Sequence, residues 1–500
     1  MLKNLLILKK NTTFAGTTIR FQKNMQEQLV GRVAEQQLLK SYLQSGKSEF
    51  IAVYGRRRVG KTFLIRHVIG EEASFAISGM ENVSTDEQLL NFSITLNRYG
   101  KGNQKYTNWL EAFDALISYL EALPNGNKIV FIDEMPWMDT PSSRFISSLE
   151  HFWNDWASAR SDIKLIVCGS ATSWMMDNLI NNHGGLHNRV THQLLLEPFT
   201  LGECREYFTQ YGFGYGEREI IDCYMVLGGI PYYFSLMDSA ESIAQNIDRL
   251  FFSPTGELRY EMSNLFRSLF RHSDAYVSIV KALSQKAKGL TRAELLEATK
   301  LHNNAHFTKM LDELEYCRFI RKYQDYSNKA RQTTYQLIDS FVHFYYSIIA
   351  KNQYQDEQFW SHSILSPAYH AWSGFAYEIL CLNHIRQIKS ALGISGIQTQ
   401  IYSWRAPKEI VSTIGKGAQI DLLIDRADNC INVCEIKFAT DKYIITKAYE
   451  ETLRNKLYLF GQTIGKRKTL RLTMITTYGV LQNQHSHIVQ NEITMEQLFG

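Results

Sequence analysis

No stretch of this 500-residue chain approaches the roughly 18 to 20 consecutive apolar residues that a helix needs to cross a bilayer. The longest candidate, FVHFYYSIIA from Phe341, is too short and is interrupted by His343. A soluble, cytoplasmic protein with no membrane partner is the expectation. Cysteines with metal-ligand spacing are lacking too: the seven are scattered, and the closest pair, Cys430 and Cys434, has no second pair beside it. They read as buried, reduced thiols. No single sign of charge dominates, and a net charge of +4 is compatible with nucleic acid without arguing for it. Acidic residues are missing from the first 24 positions, but the apolar core LLIL is shorter than a secretory core of about 7 to 15 residues. Residues 1–25 are therefore expected to be an unstructured leader, or to lie upstream of a start at Met25.

What is present is enough apolar residue, 45%, for several cores, so two to four domains of about 100 to 200 residues are expected. EFIAVYGRRRVGKTFLIRHV runs from an apolar strand through Gly55-x-x-x-x-Gly60-Lys61-Thr62 into an apolar helix, a P-loop in its required context. Gly55 and Gly60 let the backbone wrap, so that successive N–H groups and the helix N-terminus face phosphate. Lys61 would reach the β and γ phosphates, Thr62 would ligate Mg²⁺, and Arg57 is counted among the nucleotide contacts. ATP and Mg²⁺ are the ligands this pattern calls for.

Downstream, NKIVFIDEMPW supplies a buried strand, Ile129 to Ile132, that ends in Asp133 and Glu134. Asp133 would hold Mg²⁺ through water and Glu134 would polarise the attacking water. A helix N-cap is the other common use of such an acidic pair. IKLIVCGSATSWM is a further buried strand, whose terminal Ser170 is placed to sense the γ phosphate. Arg189 is either an arginine finger, in cis or from a neighbouring subunit, or a solvated loop residue. His183 and His187 flank it without a third ligand nearby and read as surface loop residues.

Together, LVGR (Leu29 to Arg32), YGRRRVGKT, FIDE, CGS and LGGIPYYF (Leu227 to Phe234) resemble the prokaryotic and archaeal ATPases of the STAND and AAA-like group over about residues 27 to 255. The resemblance implies a P-loop sheet of the ASCE type with a helical lid. It also implies that Gly229-Ile230-Pro231 packs near adenine and that a further adenine contact lies near Gly31 and Arg32. On the residues alone, Pro231 is a helix starter.

From Tyr276 the pattern changes to VSIVKALSQ, LTRAELLEATKL and NNAHFTKMLDELEYC, followed by two strand-like runs around SNKAR. Three helices and a hairpin form the plan of a winged helix, with Thr291 and Glu294 as a capping box. On DNA, the third helix would present Asn303, Asn304, His306 and Lys309, while Lys329 and Arg331 would meet phosphate from the wing. Asp312, Glu313 and Glu315 on the same helix oppose that reading, and a protein adaptor is the alternative.

The last segment reads αβββαβ, and its strands QIDLLIDR and CINVCEIKF carry Asp421, Glu435 and Lys437. Charges in such apolar strands cost free energy unless they are paired or hold a metal. Alternation puts Glu435 and Lys437 on one face, and Asp421 joins them only if it stands opposite Glu435, which sets Asp425 opposite Ile431. Order and residue types resemble the PD-(D/E)xK nuclease fold, with Ile420 where that motif has proline, and the nuclease-like domain that follows the ATPase in one branch of the group above. The resemblance implies that Asp421 and Glu435 hold Mg²⁺, that Glu378 on the preceding helix reaches it through water, and that Lys437 acts on the scissile phosphate.

The expected fold class is multidomain α/β. It comprises a P-loop core over 26–200, a helical lid over 201–262, a winged helix over 263–350 and a restriction-endonuclease-like domain over 360–500. The expected function is an ATP-driven switch coupled to a Mg²⁺-dependent DNA endonuclease, an arrangement suited to genome defence or mobile-element biology. Oligomerisation stays open. The rival is a regulatory ATPase whose last domain is inactive and only binds DNA or protein.

Overall fold

The computed structural model describes residues 28–500 apart from 101–103, 181–185, 187, 271, 287, 325, 327–332, 353–355, 365, 407–416 and 465–467. Uninterrupted apolar runs build its first sheet: β1 (Glu49–Tyr54), β2 (Ala73–Ser78), β3 (Lys128–Asp133), β4 (Ile163–Gly169) and β5 (His192–Leu195). All pair in parallel, in the order β2-β3-β4-β1-β5. Both faces are covered, which is why the strands are apolar throughout. Ile51 and Val53 pack with Leu64 and Ile65 of the helix Lys61–Ile69, whereas Phe50 and Ala52 share the opposite core with Phe92 and Phe113. Because β4 lies between β1 and β3, the P-loop, Ser170 and Asp133–Glu134 emerge side by side at the C-terminal ends of three neighbouring strands.

Helices Leu201–Gln210, Glu217–Leu227 and Pro231–Phe234 follow; Thr200 and Glu203 cap the first reciprocally, and Pro231 occupies the first turn of the last. Next come helix Ser273–Ser284, β6 (Leu290–Thr291), helices Arg292–Thr299 and Ala305–Tyr316, then β7 (Ile320–Gln324) and β8 (Thr333–Leu337). These strands form an antiparallel sheet in the order β6-β8-β7. The Thr291–Glu294 capping box is present. The expected wing residues Lys329 and Arg331 fall outside the described residues.

The final part runs from helix Pro367–Asn383 through β9 (Thr399–Arg405), β10 (Gln419–Arg426) and β11 (Cys430–Lys437) to helix Lys447–Ile464 and then β12 (Thr469–Thr476) and β13 (Asn491–Ile493). The sheet is mixed, in the order β13-β12-β11-β10-β9, with β9, β10 and β11 antiparallel and β11, β12 and β13 parallel. Two features depart from the sequence reading. β13 is an added edge strand, and the helix expected to follow CINVCEIKF starts only at Lys447. The delay has a local cause: Tyr443 exchanges backbone hydrogen bonds with Gly479 and Leu481, which takes that stretch out of helical geometry. No described helix is long and apolar enough to cross a membrane.

Candidate nucleotide site and acidic cluster

After β1 the chain turns at Gly55, whose φ is +144° and where an added Cβ would lie 2.3 Å from the Leu196 carbonyl oxygen, so only glycine fits. The Lys61 ammonium is buried and donates to the Gly55 and Arg56 carbonyls at 2.9 and 3.0 Å. Burial pushes its pKa down, against the charge of Glu134. Thr62 Oγ1 donates to Asp133 Oδ1 at 3.0 Å, an oxygen pair that fits a hard divalent cation. Glu134 has φ +43°, a conformation that costs a non-glycine residue about 1 to 3 kcal/mol. That backbone turns its carboxylate toward β4, where Oε2 accepts from the Ser170 N–H at 3.0 Å and hydroxyl at 2.8 Å.

Beside the loop opens a cavity of about 330 Å³, lined among others by Lys61, Thr62, Glu134, Phe199, Tyr207 and Pro231. Arg32 lines it as well, but as a brace. Its guanidinium donates to the Glu197 carbonyl at 2.6 Å and stacks 4.7 Å over Phe199, and burial lowers its pKa. The three P-loop arginines diverge. Arg56 is buried in an ion pair with Asp339, while Arg57 is half-buried and absent from the cavity lining. Arg58 lines the cavity, stacks 4.2 Å over Tyr232 and pairs at 2.9 Å with Glu261. Glu261 is buried and also accepts from the Tyr233 hydroxyl at 2.8 Å; burial raises its pKa, with Arg58 the strongest opposing charge. Arg189 is exposed and outside the cavity lining, so a finger role in cis has no support from its position. His183 and His187 lie outside the described residues.

In the C-terminal sheet, Leu422 pairs with Cys434 and Asp425 with Ile431; this ladder ends at Leu422, one residue short of Asp421, and β10 is irregular against β9 between Ile420 and Leu423. Glu435 is buried with both oxygens engaged. Oε1 accepts from the Tyr449 hydroxyl at 2.6 Å and lies 3.0 Å from Lys437 Nζ, and Oε2 accepts from Lys456 at 2.7 Å. Burial works to raise its pKa, but Lys456 and Lys437 outweigh that and lower it. Asp421 is half-buried and accepts from the Gln419 amide at 2.8 Å. On helix Pro367–Asn383, burial and then the charge of Asp421 push Glu378 up to about 8. A cation beside Asp421 would relieve the repulsion that its charge exerts on Glu378, so the two carboxyls are the pair that could hold one. Glu435 does not offer a free oxygen while Lys437, Lys456 and Tyr449 hold it. Among the described residues, no three His, Cys, Asp or Glu side chains form a group that could hold a metal ion.

The residues expected to face DNA are partly committed elsewhere. Asn304 caps its own helix, Asn303 accepts from Arg292 at 3.0 Å, and Lys309 pairs with Asp177 at 2.9 Å. His306 is exposed.

Residues 29–237 match the family described as an ATPase domain predominantly from Archaea. The chain thus carries an ATPase domain. It is also similar to an uncharacterized protein of Methanocaldococcus jannaschii, with 24% identity over 356 residues, 70% of this chain and 75% of that protein. Among solved structures it is similar to the Walker-type ATPase of Pyrococcus abyssi, with 19% identity, 65% of this chain and 97% of that one covered, and a TM-score of 0.48. The ORC2 protein of Aeropyrum pernix aligns at 13% identity over 73% of this chain and 98% of its own, with a TM-score of 0.40.

Several site residues escape sequence reasoning. Lys456 and Tyr449 share a helix face at i and i+7, a spacing that could have flagged them; Arg58, Glu261 and the cavity-lining Tyr207 and Tyr211 carried no such signal. Arg321 of β7 adds a cation near Asp421: burial lowers its pKa to about 10, with that aspartate among the charges opposing the shift.

Proposed function

We propose that this protein is an ATP-hydrolysing switch whose C-terminal part carries a nuclease-like site, the two being separate domains joined through a lid and a winged helix with the boundaries given above. The Thr62–Asp133 hydrogen bond beneath a P-loop, at the mouth of an apolar and aromatic cavity, carries the ATPase reading. Backbone N–H groups of the loop would take the phosphates, and Lys61 would exchange the carbonyls of Gly55 and Arg56 for phosphate oxygens. Mg²⁺ held by Thr62 and Asp133 would neutralise phosphate charge. Glu134 would leave Ser170 to accept a proton from the attacking water, and the wall formed by the Phe199 and Tyr207 rings with the apolar Pro231 would take the base. Arg189, exposed as it is, suits a finger offered to a neighbouring copy.

For the second site, the support is the Leu422–Cys434 and Asp425–Ile431 pairing, which carried one residue further would bring Asp421 across from Glu435, and the raised pKa of Glu378. A divalent cation at Asp421 and Glu378, and at Glu435 once a lysine lets go, would supply Lewis-acid polarisation of a phosphodiester. Lys437 would stabilise charge on that phosphate, and DNA is the substrate class proposed. The test is plasmid cleavage by the full chain: Mg²⁺-dependent nicking that EDTA abolishes and that Asp421→Ala and Lys437→Ala each eliminate, with ATP hydrolysis intact. Cleavage that survives both substitutions, or none by the parent on single- or double-stranded DNA, would refute it.

One observation favours the rival, a regulatory ATPase whose last domain binds DNA or protein without cutting. Both oxygens of Glu435 are held, by three donors in all, as in a structural ion pair. Retained DNA affinity without cleavage would select that reading.

A further inference from the structure

The helix Glu217–Leu227 runs between segments that adjoin the two candidate sites. Its C-terminal end runs into Gly228 and Gly229, whose carbonyl accepts from Phe199 N–H at 2.7 Å, and then Pro231; Phe199 and Pro231 both line the nucleotide cavity. In its first turn, Arg218 donates to the Ala439 carbonyl at 3.2 Å, with its guanidinium 4.2 Å over the Phe438 ring and its Nε 3.1 Å from Asp222. Phe438 and Ala439 directly follow Lys437, the last residue of β11. An 11-residue helix is about 16 Å long and moves as one body.

A second contact runs parallel to the first. Leu201 N–H, at the start of the lid helix that sends Tyr207 to the cavity, donates to His384 Nε2 at 3.0 Å. His384 closes the helix that carries Glu378. The same helix, Leu201–Gln210, is also seated against the chain's end: Arg205 lies 5.3 Å over the Phe499 ring. These two helices therefore each lead at one end toward the nucleotide cavity and rest at the other against a segment next to the acidic cluster.

We propose that Arg218 is a positioning residue that couples the nucleotide lid to the end of β11, so that nucleotide occupancy is felt at Glu435 and Lys437. The inference rests on the nucleotide reading of the cavity and not on nuclease chemistry. By linkage, the coupling is reciprocal: whatever orders the end of β11 tightens the lid.

Amide hydrogen exchange on the full chain tests it, read in peptides spanning residues 434–440 with and without a non-hydrolysable ATP analogue and Mg²⁺. Nucleotide should slow exchange there several-fold in the parent. Arg218→Ala should remove that response while analogue affinity, measured by calorimetry, stays near the parent value. Arg218→Lys keeps a donor for Ala439 without the planar stack over Phe438, and should retain part of the response. Measured analogue binding with unchanged exchange at 434–440 in the parent, or an undiminished response in Arg218→Ala, would overturn the coupling and leave the nucleotide reading standing. Absence of analogue binding by the parent would overturn both.

Discussion

Replacing Arg58 with Ala removes a guanidinium that lies 2.9 Å from a carboxylate whose side chain is only 2% exposed. Breaking a buried ion pair from one side costs about 3 to 5 kcal/mol, because the partner is left charged and dry. Here the cost should sit at or below the lower end, since the Tyr233 hydroxyl still donates to Glu261 at 2.8 Å and the carboxyl can take up a proton. Burial already raises the Glu261 pKa above its ordinary 4.5, with Arg58 the strongest charge opposing it. A raised folded-state pKa means that stability present below pH 4.5 is lost as pH rises through the folded value, so the Arg58→Ala defect should be smaller near pH 4.5 than above the folded value. Glu261→Gln in the same chain removes the orphaned charge, and the double variant should recover most of the loss. Arg58 also lines the nucleotide cavity, where a charge-assisted hydrogen bond is worth about 1.5 to 3 kcal/mol, so ATP should bind roughly 10- to 100-fold more weakly. Glu261→Gln alone frees Arg58 for phosphate and should leave affinity equal or higher. The assays are calorimetry with ATP and denaturation in both pH ranges, read in the transition that ATP shifts. A double variant as unstable as Arg58→Ala, or Glu261→Gln losing as much ATP affinity as Arg58→Ala, would refute the account.

Lys61→Ala should abolish tight ATP binding, because it deletes the ammonium that would leave two backbone carbonyls for phosphate; unchanged affinity by calorimetry would count against the site. His384 donates from Nδ1 to the Leu380 carbonyl and accepts the Leu201 N–H at Nε2, so it must stay neutral, and burial lowers its pKa from 6.5 to about 4. Stability present above pH 6.5 should therefore be lost as pH falls toward 4, and His384→Gln should flatten that limb; an unaltered acid profile would contradict the assignment. Asp421→Ala should leave metal-free stability nearly unchanged, since it relieves repulsion with Glu378, and should shrink any Mn²⁺-induced rise in melting temperature. Unfolding of the C-terminal part by this substitution would instead mark Asp421 as structural.

Much of this arrangement could be read from the residues. β1, β3 and β4 announce themselves as unbroken apolar runs because parallel strands are covered on both faces, and the glycine spacing after β1 fixes the phosphate loop. The Asp425–Ile431 pairing was legible because a one-residue slip would have sent Asp421 to the other face. β13 was not legible: three residues at an edge owe their strand form to pairing with β12 and not to their own pattern. Nor were the fates of Arg56 and Arg58, whose partners Asp339 and Glu261 come from distant segments that only the tertiary fold brings to the loop. Lys309 shows the converse, since its place on the third helix suggested a contact with DNA but folding gives it Asp177.

The central claim is that the cavity beside Lys61 and Thr62 hydrolyses ATP through Glu134. Its most direct test compares Glu134→Gln with the parent, measuring ATP affinity by calorimetry and phosphate release under saturating ATP and Mg²⁺. The account predicts retained binding with turnover stopped, because the amide keeps the size of the carboxylate but cannot accept the proton from water. A Glu134→Gln variant that releases phosphate at the parental rate would contradict it.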